Sequence, residues 1–307
     1  MMNLDEVEKQ VLKTVSDIDG IPEGAYNFRV NGESIGRKSS ENISVKTHPE
    51  KQGLEIYISS KAQNEAVHIP VIISKTGLKE VVHNDFYIED GADVTIVAGC
   101  GIYNCGAKDS VHDGIHTFHV GNNCKVKYIE KHYGMGAGAG KILNPKTEIF
   151  VKDNSFVELE LEQIKGVDST KRVTTIELGA HSEAIVHEKT FSEGRQDVKS
   201  EINVTINGDD SKADIVSRAV ARDISTQKFS SRIVGNAKCR GHSECDAILM
   251  DKAKVLAVPS LDACNLDAEL IHEAAIGKIA GEQIEKLMTL GLHEEQAIAQ
   301  IINGFLA

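Results

Sequence analysis

A chain of 307 residues, 41% hydrophobic and 26% charged, has the balance of a globular protein able to bury a substantial core. Its formal net charge of -12 argues against a general affinity for nucleic acid, which needs basic residues to displace counterions. No apolar run approaches the roughly 18 residues of a membrane helix. The charged start MMNLDEVEKQVLK lacks the basic end and apolar stretch of a secretory signal, so a cytoplasmic protein is expected.

Residues 3–16 place Leu4, Val7, Val11 and Val15 at helical spacing, which predicts a short amphipathic helix. Gly20, Pro22 and Gly24 end it. Asn31-Gly32 between two extended stretches predicts a hairpin, because both residues tolerate positive φ. From about 54 to about 260 the helical period disappears. The stretches DGADVTIV, GNNCKVKYI, KDNSFVELEL, GAHSEAIV and GDDSKADIV each give a polar turn followed by an alternating strand. Aligning them puts Gly91, Asn123, Asn154, His181 and Asp210 in register, at steps of 32, 31, 27 and 29 residues. A period near 30 built only of strands and turns predicts a solenoid with one coil per repeat, best a parallel β-helix, with a β-sandwich as the alternative.

After Pro259 the pattern changes again, and residues 262–307 read as helices. Ile298, Ile301, Ile302 and Phe305 form one apolar stripe, and Ile284, Leu287 and Met288 a second, separated by Gly291. Such stripes serve either to cap the solenoid or to dock another protein. The expected organisation is an N-terminal helix and hairpin segment (1–53), a β-helix core (54–260) and a C-terminal helical segment (261–307).

HYGMGAGAGK, residues 132–141, invites a phosphate-loop reading and fails it. Ile142 stands where the hydroxyl of G-x-x-x-x-G-K-[ST] belongs, Met135 replaces the first glycine, and no helix follows. The shorter G-x-G-x-x-A form matches but lacks its βαβ setting, so the expectation is a turn between coils and no nucleotide bound by this chain.

Six cysteines without a C-x-x-C pair point to free thiols rather than a disulfide framework. The densest ligand cluster, Cys100 to Gly134, holds Cys100, Cys105, Cys124, His112, His116, His119 and His132. These types suit zinc or iron, but on a strand His116 and His119 point to opposite faces. Core thiols and hydrogen-bonded imidazoles are the plainer reading. A second set is split between GHSECDAILM, with Cys245, and AELIHEAAIGKI, with His272 and Glu273. A thiolate, an imidazole and a carboxylate at one junction can ligate iron.

The stretch GIYNCGAKDSVHDGIHTFHVGNNCKVKYIEKHYG resembles the central signature of the SufB/SufD family of iron–sulfur cluster assembly proteins. SECDAIL, HEAAIGKI and GLHEEQAIAQIINGFL resemble that family's C-terminal segment, in the same order. The resemblance covers roughly residues 60 to 307. It implies a right-handed parallel β-helix and a non-enzymatic scaffold that holds a transient iron–sulfur cluster at an interface between two β-helices. It also implies a SufC-like ABC-type ATPase docked on the C-terminal helices, so that the nucleotide is hydrolysed by the partner. Carried over, Cys245 matches the cysteine implicated in cluster assembly, Glu273 the glutamate of the H-E-A motif, and His272 the interface histidine. All three would be ligands to cluster iron. Because one chain carries all three, a homodimer would suffice; a second family member is the other possible partner. Cys100, Cys105 and Cys124 are unranked candidates for accepting sulfur, and the donor is open. The chain is shorter at its N-terminus than usual members and resembles compact archaeal and anaerobic forms. A β-helix polysaccharide lyase or a purely structural partner of the ATPase are the alternatives; a permease is excluded by the missing spans.

Overall fold

The computed structural model describes residues 4–18 and 20–306. Strands make up 57% of it and helices 11%, arranged as a parallel β-helix of about eight turns. The two walls are a 12-stranded and a 10-stranded sheet. Within each, a strand pairs in parallel with the one about a coil later: Lys125 lies opposite Phe156, Phe156 opposite Glu183, and Ser211 opposite Cys239.

The repeat register has a backbone cause. Gly91, Asn123, Asn154, His181 and Asp210 all have φ between 54° and 84°, the left-handed corner that turns the chain from one wall to the next. Gly136, Gly166, Gly194, Asp223 and Asp251 form a second positive-φ series at another corner.

Alternation along each strand sends every second side chain inward, and the coils stack these into axial rows. Ile56, Phe86, Phe118, Ile149, Ile176, Val204 and Ile233 are register partners in turn, and all are buried. Within such a row each side chain between the ends has a neighbour above and below, so the core fills without a tryptophan.

The N-terminal segment is built into the solenoid. Helix α1 (Glu6–Ser16) is capped by Asp5 and Glu8 in a reciprocal capping box. Its Val11, Leu12 and Val15 pack with Phe28 and Ile72. The expected hairpin is present, with Val30 opposite Glu33 across Asn31-Gly32. Its first strand, Ala25–Val30, also pairs in parallel with strands Glu65–His68 and Val71–Ile73.

The helical reading of 262–280 is corrected. Strands Lys254–Ala263 and Glu269–Gly277 form a last coil, and helices begin only with α2 (Gly281–Thr289) and α3 (Glu294–Leu306). The ladder to strand Cys239–Leu249 satisfies the backbone of AELIHEAAI and overrides its helical composition. The α2–α3 hairpin folds back on strand Ser211–Ala221, where Arg218 Nη1 donates to the Phe305 carbonyl at 3.2 Å. No helix among the described residues is long and apolar enough to cross a membrane.

The glycine-rich segment serves coil-to-coil contact. A Cβ on Gly138 would lie 2.6 Å from the Gly106 backbone nitrogen. Lys141 opens a short strand, is buried, and pairs with Asp168 at 2.7 Å.

Candidate functional site

Cys245 lies on strand Cys239–Leu249, and His272 and Glu273 on strand Glu269–Gly277 of the last coil. Ser243 pairs with His272, Glu244 with Glu273, and Cys245 with Ala274. The alternation therefore brings Cys245 and His272 to neighbouring interior rows and sends Glu273 to the outer face beside Glu244. Two of the three expected ligands share a face and the third does not. Among the described residues no three His, Cys, Asp or Glu side chains converge on a point able to hold a metal ion.

Cys245 is 0% exposed, and burial, with Glu188 and Asp246 nearby, pushes its thiol up to about 12. As placed it is a protonated core thiol. The His272 Nδ1 is buried without a hydrogen-bond partner, a defect that costs about 1–3 kcal/mol wherever it persists. The coil that carries it is thinly packed. Leu256, Val258 and Ile271 project outward and Ile276 lines the open end, at 56%, 42%, 55% and 43% exposure.

The central cysteines occupy three different environments. Cys100 is buried opposite His132; burial first, then the Glu130 and Glu80 charges, raise its thiol well above the ordinary value. Cys124 is buried at a corner and donates to the Glu89 carbonyl at 3.2 Å. Cys105 is exposed, and hydrogen bonds from Tyr103 and the Ala137 backbone lower its thiol, favouring the thiolate. His112, His116 and His132 point inward and are buried, while His119 faces outward. Burial drives the His116 imidazole down to about 4, so it is neutral.

A buried ionic file, missed from the sequence, runs between these regions. Glu130, Leu161, Glu188, Ser217 and Cys245 are successive register partners along one interior row. Arg172, reaching in from the opposite wall, binds Glu130 and lies 3.7 Å from Glu188. His132 Nε2 meets Glu130 at 3.1 Å, and Ser217 donates to Glu188 at 3.0 Å. Burial opposes ionisation of Glu130, but Arg172 and His132 outweigh it and hold the carboxyl far below its ordinary range. Only the inward parity of Glu130, Arg172 and Glu188 marks them, and KVKYIEKHY is polar at both parities.

The description "SUF system FeS cluster assembly, SufBD core domain" matches residues 71–305. The chain belongs to the SufB/SufD family. All six cysteines, His272, Glu273, α2 and most of α3 lie inside the matched SufBD core, whereas α1 and the hairpin precede it. Among curated relatives, the "Iron-sulfur cluster assembly SufBD family protein MTH1150 homolog" of Methanothermobacter thermautotrophicus is 27% identical over 242 residues, 77% of this chain and 58% of the relative. An iron-sulfur cluster assembly SufBD family protein of Archaeoglobus fulgidus is 30% identical over 247 residues, 78% and 65% respectively. A SufBD family protein of Methanocaldococcus jannaschii is 26% identical over 243 residues, 78% and 76%. The chain thus spans less than two thirds of the length of the first two.

Proposed function

We propose that this chain is a non-enzymatic, cytoplasmic scaffold on which an iron–sulfur cluster is built as cargo, and that two copies meet through their last coils to hold it. A second SufB/SufD family member in place of one copy would supply the same surface. The observation that carries this reading is the thin last coil lying over Cys245. Strands Lys254–Ala263 and Glu269–Gly277 are the terminal strands of the two sheets, so each presents an unpaired ladder edge, and Leu256, Val258 and Ile271 add apolar surface. Edges and apolar patches of this kind are templates for association.

Sealed in the core and protonated, the Cys245 thiol is out of reach of iron. Movement of the last coil admits solvent, lets Cys245 ionise, and frees His272 Nδ1 as a nitrogen donor. Glu273, on the outer face, then serves as a ligand only across the interface or after the coil has shifted. Imidazole and carboxylate bind cluster iron less tightly than thiolate, which suits a scaffold that must release its cargo. For sulfur entry the exposed, thiolate-favouring Cys105 is the best placed of the three central candidates, with Cys100 and Cys124 requiring exposure first.

In the same reading a SufC-like ATPase docks on α2 and α3. Ile302 is committed to the chain's own packing. Met288, at 43% exposure, and the half-buried Ile284, Leu287, Ile298, Ile301 and Phe305 are the surface that remains. Deleting residues 281–307 is expected to abolish co-purification with the co-expressed ATPase while circular dichroism retains the strand signal. Undiminished co-purification by the truncated chain would overturn the docking assignment.

A further inference from the structure

An aromatic ladder crosses the outer face of the 10-stranded sheet, far in sequence from the last coil. Tyr57, Tyr87, His119 and Phe150 are successive register partners on four adjacent strands. Their rings stack at centroid spacings of 4.9, 5.1 and 5.7 Å. Outward positions on a solvated wall are ordinarily polar, yet Tyr57 and Phe150 are 39% and 40% exposed.

One end of the stack already holds a cation. The Lys46 ammonium sits 5.0 Å from the Tyr57 ring centroid, with Glu55 accepting from the Tyr57 hydroxyl. Beyond Phe150, at the other end, the next register position is Glu177. Among the described residues nothing hydrogen-bonds to or ion-pairs with the Glu177 carboxylate. Phe150 and Glu177 line an open groove of about 790 Å³ that also receives Glu89, Asp90 and Asp153 against the single ammonium of Lys152. Ser60, Asn122 and Ala180 backbone N–H groups hold those three carboxylates in place.

We propose that this groove docks an arginine-bearing segment of a partner protein, its guanidinium stacked on Phe150 and paired with Glu177. An aromatic face beside a free carboxylate suits the planar, forked guanidinium better than a compact ammonium, and the acidic rim supplies the matching charge. The site is separate from the cluster-holding reading and stands without it.

The test uses the full chain and a fluorescein-labelled Gly-Arg repeat peptide, followed by anisotropy at low salt. Phe150→Ala and Glu177→Gln are each expected to weaken binding roughly three- to fivefold, while Glu183→Gln, on the other wall, leaves it unchanged. Phe150 is surface-exposed, so its variant should fold; circular dichroism checks this, and Glu177→Gln tests the site without removing a ring. Equal affinity in all three variants would reduce the interaction to long-range charge and overturn the assignment. So would the absence of binding by the wild type at millimolar peptide.

Discussion

Arg172→Ala is expected to destabilise the protein by about 3–5 kcal/mol at pH 8, a large part of the 5–15 kcal/mol typical of a folded domain. Arg172 is 3% exposed and is, among the described residues, the guanidinium that pairs with Glu130 and approaches Glu188, which are 1% and 2% exposed. Its removal leaves two buried carboxylates facing each other along the interior row. Burial, no longer outweighed by the guanidinium, then favours the protonated form of Glu130 in the folded state, so the native state binds more protons and the deficit grows as pH rises through the carboxylate range. The wild type runs the other way. Its depressed Glu130 contributes stability that is present above the unfolded carboxylate pKa and is lost as pH falls through the folded one. Guanidinium unfolding at pH 8 and pH 5 should therefore show a deficit that narrows at the lower pH. Arg172→Met combined with Glu130→Gln and Glu188→Gln should recover much of the loss, because no unpaired charge stays buried. A deficit below about 1 kcal/mol at both pH values would mean that the file is wet and unimportant to stability.

The second large effect concerns thiol reactivity. With its pKa near 12 against an ordinary 9.0, Cys245 carries about a thousandfold less thiolate than a free cysteine at pH 8, before its burial is counted. Cys105, exposed and shifted the other way, is the internal reference. Iodoacetamide labelling mapped by peptide mass should therefore modify Cys105 at least roughly a hundredfold faster in the native protein, because the greater nucleophilicity of a high-pKa thiolate offsets part of its scarcity while burial adds to the protection. What labelling Cys245 undergoes should proceed through opening of the last coil, a sparsely packed unit that opens at lower cost than the whole. Leu270 is one of the few side chains by which that coil packs on the core. Leu270→Ala should speed Cys245 labelling by roughly tenfold or more while the global unfolding midpoint moves little. Labelling of Cys245 at a rate near that of Cys105, or a rate indifferent to Leu270→Ala, would show that the thiol is not sealed by this coil.

The sequence carried the solenoid because its corners are chemically marked. Asn, Asp, His and Gly recur where φ must be positive, and that recurrence has the period of the coil. The hairpin at Asn31-Gly32 and the first helix were legible for equally local reasons. The end of the β-helix was not. HEAAIGKI is rich in helix formers, and only pairing with a strand about 29 residues earlier makes it extended. For the candidate site the family resemblance offers residue types, Cys245, His272 and Glu273, but not their geometry. That Cys245 and His272 share a face while Glu273 does not follows from register, which a single strand cannot reveal. The ionic file was hidden because it is assembled from both walls, with Arg172 and Glu130 separated by more than a full coil.

The most direct test of the scaffold account is iron and acid-labile sulfide per protomer, with an absorption spectrum, on protein purified without oxygen beside its Cys245→Ala variant. The account predicts a cluster in the wild type and none in the variant, with the far-ultraviolet circular dichroism of the two superimposable. Equal iron and sulfide in both would move the site to the central cysteines. No cluster in the wild type even after reconstitution with iron and sulfide would contradict the account itself.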